Sequence, residues 1–191
     1  MYFCTLMENN SQQLGTFSNP DFNRGASELK IRAWYVFNCL FIKSSLPFSG
    51  LKIALLRMFG AKIGKRVLIK PNVNIKYPWK LTVGNDVWLG EKVWIDNLDS
   101  VTIGNNVCLS QGAMVLCGNH DFKKSSFNLF TKPVVIEDGV WICAQALVGP
   151  GVTCKKDSLL SPLSFANQDL KEGLIYEGNP AKQKKQRLIT F

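Results

Sequence analysis

The chain has a single histidine, no pair of cysteines spaced C-x-x-C, and no apolar run long enough to cross a bilayer. Six cysteines are present, at 4, 39, 108, 117, 143 and 154. Their spacing suggests neither a zinc site nor a disulfide framework, and a reduced cytoplasmic compartment is the simplest account of them. The most apolar segment, Ala33 to Ile42, covers ten residues, well short of the roughly 20 that a transmembrane helix needs. The opening Met1-Tyr2-Phe3-Cys4 lacks the charged-then-apolar order of a secretory leader. Low-complexity tracts are missing too, and a hydrophobic content of 46% can supply a core. Negative charge is scarce: 14 Asp and Glu stand against 23 Lys and Arg, a net charge of +9. That excess reads either as a solvated basic surface or as attraction to an anionic partner, whether a phosphorylated cofactor, an acidic glycan or a membrane face. No groove-reading helix or nucleic-acid motif accompanies it, so a nucleic-acid partner is not expected. A length of 191 residues suits one domain with a small extension.

What is present is a period of six. From Ile136 the chain runs IEDGVW, ICAQAL, VGPGVT, CKKDSL, LSPLSF. The first residue of each hexad is apolar (Ile136, Ile142, Val148, Cys154, Leu160, then Ala166), and the fifth is small or β-branched (Val140, Ala146, Val152, Ser158, Ser164). Six matches neither the two-residue repeat of a strand nor the 3.6 of a helix. It fits a chain that turns a corner every six residues around a narrow triangular interior, three sides making one coil that buries its apolar side only by stacking on the next. In that setting Cys154 acts as a small hydrophobe. Upstream, hexads open at Ile63, Ile69 and Ile75, at Val83, Leu89 and Ile95, and at Ile103, Leu109 and Val115. Coils therefore start at 63, 83, 103, 136 and 154, about five in all, with steps of 20, 20, 33 and 18. The extra residues all fall after a third hexad, so the insertions emerge along one edge. There the fifth position holds Trp79, Asp99 and Asn119 rather than a small residue, and His120 follows directly. This edge is the expected working site.

The remaining segments frame the prism. Residues 1–60 read as a polar arm (1–25) and a helical cap: one helix over 28–43, ended by Pro47 and Gly50, and a second over 51–59, closed by Gly60. The cap would cover the open first coil. Its aromatic run (Trp34, Tyr35, Phe37, Phe41), flanked by Lys30, Arg32, Lys43, Lys52 and Arg57, is also what a helix lying on a membrane interface requires. The β-helix is expected over 61–172, with a loop insertion at 119–133, and a tail over 173–191. Gly64, Gly84, Gly90 and Gly104, each after a leading apolar residue, with Asn72, Asn85, Asn105 and Asn106 near corners, are residue types that tolerate positive φ.

The IG-x4 hexads, the insertion carrying a histidine and the closing Gly178-Asn179-Pro180-Ala181 resemble the left-handed β-helix acyltransferases with hexapeptide repeats. The branch most similar is that of the maltose, galactoside and nodulation O-acetyltransferases. Within it, RMFGAKIG (57–64), YPWKLTVG (77–84) and VTIGNN (101–106) look like the acetyltransferases of colanic acid and other exopolysaccharide clusters. The likeness covers about residues 51–185. It implies an all-β solenoid of left-handed parallel coils and a homotrimer with its sites between neighbouring prisms. It also implies acetyl-CoA as donor, a carbohydrate hydroxyl as acceptor, and no metal.

By the same resemblance, His120, 17 residues after the Ile of VTIG, is the general base that a weakly nucleophilic sugar hydroxyl needs. Asp96, Asn97, Asp99 and Asn119 fall near the family's acceptor contacts, or else are turn residues; the match is not clean, since the family's Asn falls at Gly90. Val140-Trp141-Ile142-Cys143-Ala144 corresponds to the family's VWIG-small motif, with Trp141 lining the thioester channel and the Ala144 amide meeting the oxyanion. Ser161, Pro162, Asn167 and Gln168 fall on pantetheine and adenine contacts, and Lys182 and Lys185 on phosphate contacts where the family has arginine. Two other readings remain open at this point: N-acetylation of an amino sugar by the same base, and a non-catalytic β-helix trimer.

Overall fold

In the computed structural model, which describes residues 11–190, each hexad supplies one short strand and one corner. The first ten residues of the expected arm lie outside the described residues. Three parallel sheets form the sides of a solenoid. On the first side the expected coil starts pair directly with one another: Ile63 with Val83, Val83 with Ile103, Ile103 with Ile136, and Ile136 with Cys154. The insertion between the third and fourth coils therefore leaves the register untouched. A bridge from Cys154 to Leu170 opens a sixth, incomplete coil beyond the five expected. The strand Leu174–Gly178 extends that coil along the second side, then pairs antiparallel with Ala181–Gln186. The C-terminal segment is thus a β-hairpin closing the far end, paired into the sheet.

Two side chains per hexad point inward. The leading residues are buried in every coil except at the half-buried Ile63, and so are the fifth-position residues from Val67 through Ser164, except along the insertion edge, where Trp79 and Asp99 are half-buried and Asn119 is exposed. Burying a Val, Leu or Ile side chain is worth about 1.5–3 kcal/mol, and every inward residue between the two ends is covered by coils above and below. The corners explain what sits between. The fourth residue of each regular hexad takes a left-handed backbone, from Arg66 (φ 54) through Lys92 (φ 59) and Gln145 (φ 56) to Leu163 (φ 58). The second-position glycines do not share this φ, which corrects the sequence expectation. They are needed for close stacking: a Cβ on Gly84 would stand 2.6 Å from the carbonyl oxygen of Gly104.

Two helices cover the open first coil. Helix α1 (Glu28–Phe37) begins at Ser27, whose hydroxyl accepts from the Lys30 amide, and runs into a wider π turn over Asn38–Ile42. Helix α2 (Ser49–Met58) ends in two backbone bonds, Gly60 N–H to Arg57 and Ala61 N–H to Leu56, with Gly60 at φ 105. Ile31, Trp34, Asn38 and Ile42 form the inward stripe of the first segment, and Lys52, Leu56 and Phe59 that of the second. The cap also satisfies backbone groups of the end coil that no further coil would pair. The Ser49 hydroxyl bonds both the amide and the carbonyl of Ile69, Trp34 Nε1 donates to Ile75, and Lys52 Nζ to Lys70. Among the described residues, no helix is long and apolar enough to cross a membrane.

Candidate active site

The third insertion forms an antiparallel hairpin, Gly118–His120 against Leu129–Thr131, in which His120 faces Leu129. The half-exposed imidazole lies flat on Phe127 (centroids 4.1 Å, 5° between planes) and meets the Phe17 ring edge-on at 5.5 Å. Its Nδ1 is 2.7 Å from the Phe127 carbonyl oxygen. A carbonyl can only accept, so Nδ1 carries the proton, and in the neutral imidazole Nε2 is the nitrogen with the free lone pair. The orienting partner is therefore a backbone carbonyl of the hairpin itself. Phe17 and Phe127 gave no signal in the sequence beyond being aromatic.

Asp96, Asn97 and Asp99 do not form one patch. Successive side chains of an extended chain leave on opposite sides, and these three part company. Asp96 pairs with Lys76 at 3.0 Å and lines a cleft of about 200 Å³ against α1 with Trp94, Asn74 and Tyr35. Asn97 is fully buried, its Oδ1 accepting from the Tyr77 amide (2.9 Å) and its Nδ2 donating to the Tyr77 carbonyl (2.6 Å). Asn97 therefore ties its coil to the one below. Asp99 reaches the base of the hairpin, 3.5 Å from the Thr131 hydroxyl. Asn119 accepts from the His120 amide and lines a separate cleft of about 380 Å³ with Gln145, Leu163 and Phe165.

On the second side, the structure brings Trp141 and Lys185 into one groove of about 450 Å³, with Leu159, Ile175 and Ile189 as its apolar wall. The indole N–H donates to the Ser110 hydroxyl at 2.8 Å. Arg187, which the sequence reading passed over, lines the same groove and donates to the carbonyls of Gly139 (2.8 Å) and Asp157 (3.2 Å). It ties the terminal hairpin to two corners. Ala144 sits at the next corner, its carbonyl accepting from Leu163 and its amide N–H unpaired among the described residues. Ser161 donates its amide to Tyr176 one corner higher, and Pro162 beside it is exposed. Asn167 and Gln168 are exposed at the following corner, and Lys182 lies exposed on the terminal hairpin opposite Glu177. An apolar groove with a basic end is the kind of surface that a long thioester carrying phosphates requires.

Burial pushes the Cys117 and Cys154 thiols up to about 12 and Cys143 up to about 11, leaving all three protonated near neutral pH. Among the described residues no group of three or more His, Cys, Asp and Glu is placed to hold a metal ion.

Comparison with known proteins agrees with this architecture. No family model matches the chain. It is 35% identical over 180 residues to the "Putative colanic acid biosynthesis acetyltransferase WcaF" of Escherichia coli (strain K12), covering 94% of this chain and 99% of that one. It is 23% identical over 133 residues to the galactoside O-acetyltransferase of Escherichia coli (strain K12), covering 68% of this chain and 65% of that one. Among solved structures it is similar in fold to the hexapeptide-repeat acetyltransferase VCA0836 of Vibrio cholerae in complex with acetyl-CoA. The TM-score there is 0.79 at 22% identity, over 91% of this chain and 97% of that one.

Proposed function

The chain belongs to the hexapeptide-repeat acetyltransferases, in the branch of the colanic acid biosynthesis enzyme, and from that premise we propose that it moves acetyl from acetyl-CoA to a hydroxyl of a surface-glycan precursor, with His120 as general base. The observation that carries this reading is the Nδ1 bond to the Phe127 carbonyl, which leaves Nε2 as the basic nitrogen. In the proposed reaction Nε2 takes the proton of the acceptor hydroxyl as its oxygen attacks the thioester carbon. The oxyanion that forms is received by the Ala144 N–H, a donor fixed before charge develops. Collapse expels the CoA thiolate, which recovers the proton from the imidazolium. The groove around Trp141, with Lys185 at its basic end and Lys182 on the same hairpin, supports the donor assignment. Ser161, Pro162, Asn167 and Gln168 would extend the donor's contacts along the same corners. Asn119 and Asp99 are the acceptor contacts nearest the imidazole in the chain's order of coils, with Asp96 farther along the same edge.

An ester and an amide product differ in their fate in mild alkali. The acetyl group transferred to a screened glycan acceptor should be released within that treatment. An alkali-stable product would instead establish N-acetylation of an amino sugar.

We also infer a trimer, and the sheets support it. The outward row of the second side reads Leu68, Trp88, Cys108, Trp141, Leu159, Ile175, and that of the third Asn74, Trp94, Met114, Leu147, Phe165. The first side shows Lys62, Thr82, Thr102, Val135 and Thr153 instead. Two apolar sides flanking one corner suit a cyclic assembly in which the second side of one prism faces the third side of the next. Light scattering should give three times the 21.4 kDa of the chain; a fully active monomer would exclude the arrangement.

A further inference from the structure

Between residues 29 and 85 the chain carries eleven Lys and Arg and no Asp or Glu, whereas the rest carries twelve basic against fourteen acidic residues. The whole net charge of +9 is therefore concentrated in the helical cap and first coil, at one end of the solenoid. Some of these charges are used internally. Lys52 is buried against the Lys70 carbonyl, Lys76 pairs with Asp96, and Lys30 sits over the Trp79 ring. Others, notably Arg32 and Lys43, are exposed and form no ion pair among the described residues.

The same cap shows an apolar outer stripe. With Ile31, Trp34, Lys52 and Leu56 turned onto the first coil, the opposite faces carry Leu29, Val36 and Leu40 on the first segment, and Leu51 and Met58 on α2, with Phe48 just before it. Leu29 is 80% exposed and Phe48 59%. Arg32 and Lys43 fall in the first stripe at helical spacing, between and after these residues. The aromatic run that the sequence offered for membrane contact is instead divided: Trp34 is buried in the core, Phe37 and Phe41 are half-buried, and only Tyr35 is exposed. The outer surface is built from other residues.

We propose that this cap lies on an anionic lipid bilayer, with the apolar stripes entering the headgroup boundary and the basic residues contacting lipid phosphates. A predominantly cationic surface with apolar side chains projecting from it has the two properties that interfacial binding needs, apolar area and attraction to anionic lipid. A purely electrostatic partner would not call for Leu29, Leu40 and Phe48, nor a purely apolar one for eleven basic residues between 29 and 85. The acceptor would then be a glycan held at the membrane, an extension that rests on the acetyltransferase reading above.

Flotation of the full-length protein with phosphatidylcholine vesicles, with and without phosphatidylglycerol, tests the contact. Binding should require the anionic lipid at low salt and fall as salt rises. Replacing Arg32→Gln with Lys43→Gln should weaken partitioning about thirtyfold, at roughly 1 kcal/mol per basic residue. Leu40→Gln with Phe48→Gln should weaken it as well, and both pairs should keep the wild-type melting temperature because these side chains are exposed. Failure of the wild-type protein to float at low salt overturns the proposal. So does binding that both variant pairs retain in full, or binding to soluble polyglutamate without binding to vesicles. Flotation needs no turnover, so its failure leaves the proposed chemistry untouched.

Discussion

Replacing His120→Ala is expected to lower acetyl transfer by about two to four orders of magnitude, the usual worth of a positioned general base, or roughly 3–5.5 kcal/mol on the barrier. Binding of CoA should be unchanged, because the Trp141 groove lies on the second side and is built without the hairpin. The test pairs a thiol-release assay with calorimetric titration of CoA. Retained turnover would move the base elsewhere, and joint loss of turnover and CoA binding would point to a collapsed hairpin instead. Phe127→Leu gives a second reading of the same geometry. The imidazole is held by the Phe127 backbone carbonyl and packed by its ring, so this change removes the stacking while keeping the carbonyl. Its loss of rate should therefore be smaller than that of His120→Ala.

The prism was legible because its periodicity is physical. Away from the insertion edge only residues that fill the interior can occupy the first and fifth places, so Ile63, Val83, Ile103, Ile136 and Cys154 could be aligned across an insertion of unknown shape. Backbone close approach was not legible in the same way. Gly84 and Arg66 are both corner residues, yet the left-handed φ belongs to Arg66 and the steric need for a missing Cβ to Gly84. Residue type alone assigns these the other way round. The hairpin histidine could be picked out by its place after the third hexad, but its partner could not. A backbone carbonyl leaves no trace in the identity of Phe127, whereas Asp96 and Asp99 advertise themselves. The terminal hairpin was hidden for a related reason: Ala181–Gln186 is mostly polar, and it pairs through backbone groups beside Leu174–Gly178 rather than by burying an apolar face.

Asn97 separates a structural from a binding role most sharply. Its side-chain amide satisfies the amide and the carbonyl of Tyr77, one coil below, with no exposure to solvent. Asn97→Ala strands both backbone groups in the interior, and at about 1–3 kcal/mol for each unsatisfied group the loss should be about 3 kcal/mol. For a chain of this size that lowers Tm by roughly 6–12 °C. The material that stays folded should keep its KM for the acceptor, since no face of Asn97 reaches solvent. A raised KM at unchanged Tm would return Asn97 to the acceptor site. Asn97→Asp adds a charge test. A carboxylate there could accept from the Tyr77 amide but would oppose the Tyr77 carbonyl and be desolvated, so its folded-state pKa should lie above the unfolded value of about 3.9. For a carboxyl raised in this way, stability is retained below the unfolded pKa and lost as pH rises through the folded one. The Asn97→Asp protein should therefore melt closer to wild type near pH 4 than at pH 7, while Asn97→Ala should show the same deficit at both. Equal deficits for the two variants at both pH values would mean that the Asn97 side chain does not meet the Tyr77 carbonyl.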